Sequence, residues 1–254
     1  MSLSSFMDEI RKIPPVTRFL GASTLAVSLP VMLQLVSPYS VLFVKRFVVE
    51  NFQLWRMYTS FFYAGSGITF LFEFIMLSRN SLSLETGHYP GRSADYAWQL
   101  LIAAFAIIGL NIPLKSFLHF RPLLMSILYL TSCLTPTAMV SIMGLINIPN
   151  KYFPYALLGM DLVTGGTGAA ASSLTGLIAG HAWWYLVHSD ESGRPGRAYA
   201  TAPAWLWRIV GDGPEVAGAA RGGRVVGAAT AAAREATQRT TGYNWGTGNR
   251  LGDS

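Results

Sequence analysis

The chain has 254 residues, 51% of them hydrophobic and only 13% charged, against roughly 25% charged in a soluble domain. Its net charge of +6 is scattered between apolar blocks and along the C-terminal end, which argues against a nucleic-acid face and for topology and surface charge. The one cysteine, Cys133, excludes a disulfide framework and a cysteine metal site.

The opening MSLSSFMDEIRKIPPVTR lacks an early apolar core and a small-residue cleavage site, so the first span is expected to act as an internal signal and stay. A spanning helix needs about 20 mostly apolar residues. Gaps between charges supply such stretches. Phe19 to Gln34 is the first. Met57 to Leu77, interrupted only by Glu73, is the second. Tyr96 to Leu114 is the third. Pro122 to Asn150, with Pro136 as a break or kink, is the fourth. Tyr152 to Val187 carries only Asp161 and His181. It is too long for one span and divides at the GGTG of Gly165 to Gly168.

Six spans place both termini on one side. That side holds nine Lys and Arg (Arg11, Lys12, Arg18, Arg79, Arg92, Lys151, Arg194, Arg197, Arg208), and the other holds five (Lys45, Arg46, Arg56, Lys115, Arg121). The positive-inside rule then puts both ends in the cytosol. The first loop, SPYSVLFVKRFVVENFQLWRMYTSFFYAG, is too mixed to span and too apolar to be solvated, and is expected in the membrane interface. The expected organisation is a six-helix membrane domain over 1–189 and a largely disordered cytosolic tail over 190–254. Within the tail, AWLWRIV has the pattern of a short amphipathic turn on the membrane surface.

Four stretches carry a family resemblance: Trp55-Arg56 before the second span, LETGHYPGRSADY after it, GLIAGHAWWYL in the sixth, and WGTGNRLG at the end. Together they resemble the derlin family, the inactive relatives of rhomboid intramembrane proteases. The resemblance runs from Phe19 to Gly252. It implies an all-α, six-span, rhomboid-like fold in the endoplasmic reticulum membrane and a role in endoplasmic-reticulum-associated degradation. The implied partners are a membrane ubiquitin ligase complex, the cytosolic AAA+ segregase (valosin-containing protein), misfolded protein substrates and the bilayer itself. No cofactor is expected, and assembly with copies of itself or with other chains stays open.

The rival expectation is an active rhomboid, which needs a serine in a Gly-x-Ser-Gly setting on span four and a histidine base on span six. Span four offers Ser141 within TAMVSIMGLIN, without that pattern. On span six the base of an active rhomboid lies three residues before the first glycine of a Gly-x-x-x-Gly pair. Here the pair is Gly176 and Gly180, and that position is Ser173. His181 lies about 100° around the helix from Gly180, off the catalytic register. Thr69 and Glu73 occupy the places where proteases carry oxyanion-binding His and Asn, and a carboxylate there repels an oxyanion.

The same positions suit other work. Glu73, with Thr69 and His181, is a candidate for lining a polar groove. Glu73 and Asp161 alternatively sit protonated or bonded to Ser, Thr or Asn of a neighbouring helix. Trp55 and Arg56 anchor the first loop, with Trp at headgroup level and Arg reaching phosphate. The resemblance makes that loop the luminal surface that receives substrate. Gly176 and Gly180 let span six approach span four.

The end of the chain resembles the SHP box, with which derlins bind the segregase. Trp245 and Leu251 would anchor, Gly246 and Gly248 permit close backbone approach, and Arg250 would fork onto a carboxylate. Trp245 departs from the Phe usual in the box. The chain has no nucleotide-binding loop, so any pulling force is expected from a partner. The expected function is retrotranslocation of misfolded proteins through a lateral polar groove in a locally thinned bilayer. An adaptor that only docks the segregase is the remaining alternative.

Overall fold

The computed structural model describes residues 8, 10, 12–142, 146–188 and 200–211. In chain order the long helices are α1 (Pro15–Met32), α5 (Gly67–Gly87), α6 (Ser93–Leu114), α7 (Phe120–Leu134) and α8 (Phe153–Trp183). Three short helices lie between α1 and α5: α2 (Pro38–Val41), α3 (Lys45–Glu50) and α4 (Trp55–Phe62). A hairpin of β1 (Met139–Ile142) and β2 (Ile146–Pro149) separates α7 from α8, and α9 (Ala204–Val210) follows.

Pro15 starts α1 at a position where its missing N–H is no loss. Lys115, in the left-handed conformation at φ 51°, ends α6. The core gathers around α7, where Leu124, Met125, Ile127, Leu128 and Leu130 are fully buried. The outside is apolar as well: Ile68 on α5 is 81% exposed and Val163 on α8 is 86% exposed. An outer face of that kind, over a core containing polar and ionisable groups, is the pattern of a helical bundle solvated by lipid.

Among the described residues, two helices are long and apolar enough to cross a membrane, Ser93–Leu114 and the run Asn150–Val187. The expected second span, Met57 to Leu77, is broken. Its first part is α4, and α5 turns away from it by 93° after Gly65 and Gly67, both at positive φ. The apolar helix therefore begins ten residues later than the charge pattern suggests and extends through the polar residues to Gly87. The expected fourth span is also shorter. The helix α7 ends at Leu134, before Pro136, and Met139–Ile142 and Ile146–Pro149 pair as antiparallel strands. Asn150 closes this end of α7 by donating Nδ2 to the carbonyls of Thr131 and Thr135.

The helix α8 reverses direction inside its own length. Gly166 has φ 73° and ψ −171°, a conformation open to glycine. Asp161 and Ser173 would stand ~18 Å apart on a straight helix, yet Ser173 Oγ donates to Asp161 Oδ2 at 2.5 Å. The arms 153–165 and 167–183 thus fold back on each other at the GGTG stretch, and both pack against α7. The first arm runs antiparallel to α7. The second runs alongside it, with Gly176 beside Pro122 and Gly180 beside Ser126.

Candidate functional site

Near the loop end of the bundle, one guanidinium joins three helices. Arg121, the second residue of α7, donates Nη2 to Asp161 Oδ1 at 2.6 Å and Nε to both Asp161 oxygens at 3.1 Å. Its Nη1 donates to Glu73 Oε1 on α5 at 3.1 Å. Ser173, from the second arm of α8, completes the shell around Asp161. The side chains of Arg121, Glu73 and Asp161 are only 21%, 12% and 12% exposed. Among the described residues, α5 and α8 share no extended packing surface; each packs on α7. The cluster therefore ties α5 and both arms of α8 to α7.

This arrangement revises the expected surroundings of the two acids. Neither is bonded only to Ser, Thr or Asn: both pair with Arg121, which the charge pattern placed in a loop. A buried carboxylate needs such a partner, because desolvation otherwise disfavours its charged form. The cluster holds one cation against two carboxylates, and its polar fringe continues in the Asn111–Thr175 and Ser116–Ser172 hydrogen bonds. Thr69 is exposed on α5, one turn before Glu73. His181 lies elsewhere. Its Nδ1 meets the Tyr129 hydroxyl at 2.7 Å, and Tyr129 is two turns along α7 from Arg121, ~12 Å away.

The residues weighed for proteolysis are arranged for other contacts. Ser141 is a strand residue in β1, paired with Asn147 of β2, rather than a helix residue of span four. The hydroxyl of Ser173 is spent on a carboxylate already held by Arg121. Gly176 and Gly180 bring α8 close against the backbone of α7. A Cβ added at Gly176 would lie 1.9 Å from the Pro122 carbonyl oxygen, and one at Gly180 would lie 2.9 Å from that of Ser126.

The first loop is organised by Arg56. Its Nη1 donates to the carbonyls of Tyr39 and Leu42, its Nε donates to Gln53 Oε1, and the guanidinium stands 5.0 Å from the Phe47 ring centre. Arg56 thus ties α2 and α3 to α4, while the neighbouring Trp55 is 56% exposed. The loop is fastened to the bundle by Phe43, whose N–H donates to the Phe117 carbonyl, and by His119. His119 is fully buried between the rings of Phe43 and Phe61, with Nδ1 3.1 Å from Ser60 Oγ. Burial lowers its pKa to about 4.

At the opposite end, the LETGHYPGRSADY stretch is a structural joint. Glu85 accepts the N–H groups of Val16 at 3.0 Å and Thr17 at 2.7 Å, and the Thr17 hydroxyl at 2.7 Å. It thus supplies α1 with the acceptor its N-terminus lacks, from a different helix. Tyr96 donates to Ser81, and Tyr89 to Gln99. Arg92 pairs with Asp95, whose second oxygen accepts the Ala202 N–H at 2.7 Å. Residue reading missed Arg121 and Glu85 as site-building groups. The available signal was electrostatic: two acids inside apolar helices call for a cation, and Arg121 borders the apolar run of α7. Trp245, Gly246, Gly248, Arg250 and Leu251 lie outside the described residues.

An apolar outer surface, helices long enough to span and an ion cluster held among them define a multispanning helical membrane protein. The Der1-like family model matches residues 13–204. The chain is 33% identical to Derlin-1 of Homo sapiens, over 99% of this chain and 100% of that protein. It is 30% identical to Derlin-1 of Arabidopsis thaliana, over 82% of this chain and 78% of that one. For Derlin-1 of Oryza sativa subsp. japonica the identity is 29%, over 82% and 86%. The chain belongs to the Der1-like family.

Proposed function

We propose that this chain is a non-catalytic derlin of endoplasmic-reticulum-associated degradation that helps misfolded proteins leave the endoplasmic reticulum for the cytosol. It resides in that membrane with six spans, formed by α1, α5, α6, α7 and the two arms of α8, and with both termini cytosolic. Its partners are a membrane ubiquitin ligase complex and the cytosolic AAA+ segregase. The observation that carries the reading is the Glu73–Arg121–Asp161 cluster, which links α5 and α8 through α7 and which we read as one wall of a lateral groove. Polar groups at that depth lower the cost of bringing a polypeptide's backbone N–H and C=O groups into the bilayer. The shortness of α7 supports local thinning, because its 15 residues cover ~22 Å against ~30 Å of hydrocarbon.

The non-catalytic role rests on the fate of the polar residues. The Asp161 carboxylate that accepts from Ser173 is already engaged by Arg121, and His181 is engaged by Tyr129. Motor recruitment is assigned to Trp245, Gly246, Gly248, Arg250 and Leu251, with the first and last as anchors.

The test places a photo-crosslinking amino acid at Thr69, exposed one turn before Glu73 on α5, in microsomes carrying a misfolded luminal substrate. Crosslinks to substrate are expected at Thr69 and not at Phe105, which is exposed on the outer face of α6. Equal crosslinking at both positions would remove the groove. In the same cells, Trp245→Ala with Leu251→Ala is expected to abolish segregase pull-down and leave membrane insertion unchanged. Retained pull-down would remove the docking role.

A further inference from the structure

Beyond the proposed groove and motor site, one surface has an occupant that its geometry specifies. The helix α9 is packed on the first turns of α6. Leu206 and Trp207 are buried against Ala94, Ala97 and Trp98. The Trp207 indole donates to the Ala202 carbonyl, and the Ala202 N–H donates to Asp95. This side of α9 is satisfied by the protein. The other side carries Trp205 at 51% exposure and Ile209 at 73%, with Arg208 also exposed. At 100° per residue, Trp205 and Ile209 lie ~40° apart on one stripe, and Arg208 lies ~60° to its flank.

The height of this surface is set by α6. That helix is free of charge from Tyr96 onward, so its hydrocarbon-embedded part begins one turn or less from the residues that hold α9. A short amphipathic helix beside that boundary presents the side chains an interface takes up: an exposed Trp and Ile suited to the acyl boundary, and a guanidinium suited to lipid phosphate. We propose that α9 is a membrane-surface foot: Trp205 and Ile209 insert into the headgroup–acyl boundary, Arg208 binds lipid phosphate, and the Asp95–Ala202 bond fixes the foot to α6.

The experiment uses the full chain with Cys133→Ser, reconstituted in phosphatidylcholine vesicles containing a minor fraction of phosphatidylserine. A nitroxide is attached in turn to Ile209→Cys and Arg208→Cys, and collision with oxygen is compared with collision with a water-soluble nickel chelate. Thermal melting of each labelled chain confirms an intact fold. The expected oxygen-to-nickel ratio is several-fold higher at 209 than at 208. A nickel-dominated signal at 209 would overturn the proposal, placing α9 in water. A label at 209 shielded from both reagents would overturn it too, showing the face covered by a second copy of the chain.

Discussion

Replacing Arg121 by Met removes the cation that pairs with both Glu73 and Asp161 and keeps most of the side chain's apolar bulk. Two carboxylates then face each other in a largely dehydrated site, 12% exposed each. Removing one partner of a buried ion pair costs ~3–5 kcal/mol; the partial exposure here places the loss near ~3 kcal/mol. At ~2–4 °C per kcal/mol for a chain of this size, the midpoint of thermal unfolding in lipid nanodiscs is expected to fall by ~6–12 °C. The loss is not shared equally. Asp161 accepts from Arg121 through both oxygens and from Ser173, whereas Glu73 accepts one bond at 3.1 Å. Adding Asp161→Asn to Arg121→Met is therefore expected to restore more stability than adding Glu73→Gln. The triple neutral variant should approach the parent, because no uncompensated charge remains. A single variant that melts within ~1 °C of the parent, or a triple variant no better than the single one, would refute the cluster as the tie between the three helices.

Gly176→Ala and Gly180→Ala should differ in severity, since the first pushes a Cβ to 1.9 Å from the α7 backbone and the second to 2.9 Å. Overpacking of ~3 kcal/mol or more is expected at 176 and ~1 kcal/mol at 180, read by the same melting assay; equal losses would argue against the close α7–α8 contact. Glu85→Ala leaves two N–H groups and a hydroxyl at the start of α1 without their acceptor, and should cost ~2–3 kcal/mol, with Glu85→Gln losing less. Full stability of Glu85→Ala would remove the capping role. The neutral His119 site predicts acid sensitivity. Its folded pKa is depressed to about 4, below the unfolded ~6.5, so the unfolded chain takes up the proton first. Stability is fully present above pH ~6.5 and falls by at most ~1.4 kcal/mol per pH unit as pH drops towards 4. His119→Gln should flatten that slope, and an unchanged slope would assign it to another group.

Much of the helical framework was legible in the sequence. Lipid tolerates few charges and no unpaired backbone, so charge gaps coincide with helices α1, α6, α7 and the two arms of α8. The fold-back at Gly165 to Gly168 was legible too, because consecutive glycines permit the positive φ found at Gly166. The break between α4 and α5 was hidden. WRMYTSFFYAGSGITFLF is continuously apolar, and hydropathy carries no information about the 93° turn. The hairpin was hidden for a related reason: TAMVSIMGLIN suits a strand as well as a helix, and Pro136, legible as a break or kink, carries no sign that strands follow it.

By itself, then, the sequence determined that this is a membrane-embedded helical chain, where most helices run, and which acids are out of place in lipid. Each follows from local chemistry, since hydropathy, charge and glycine act over one or two turns. The tertiary structure alone decided that Arg121 closes on both acids, that Glu85 caps α1 from 68 residues away, and that Asp95 holds Ala202. Those pairings join residues far apart in the chain, and their selection depends on which helix faces α7 and at what height. No local pattern encodes that geometry; it emerges when the apolar faces pack and each buried charge must find its partner.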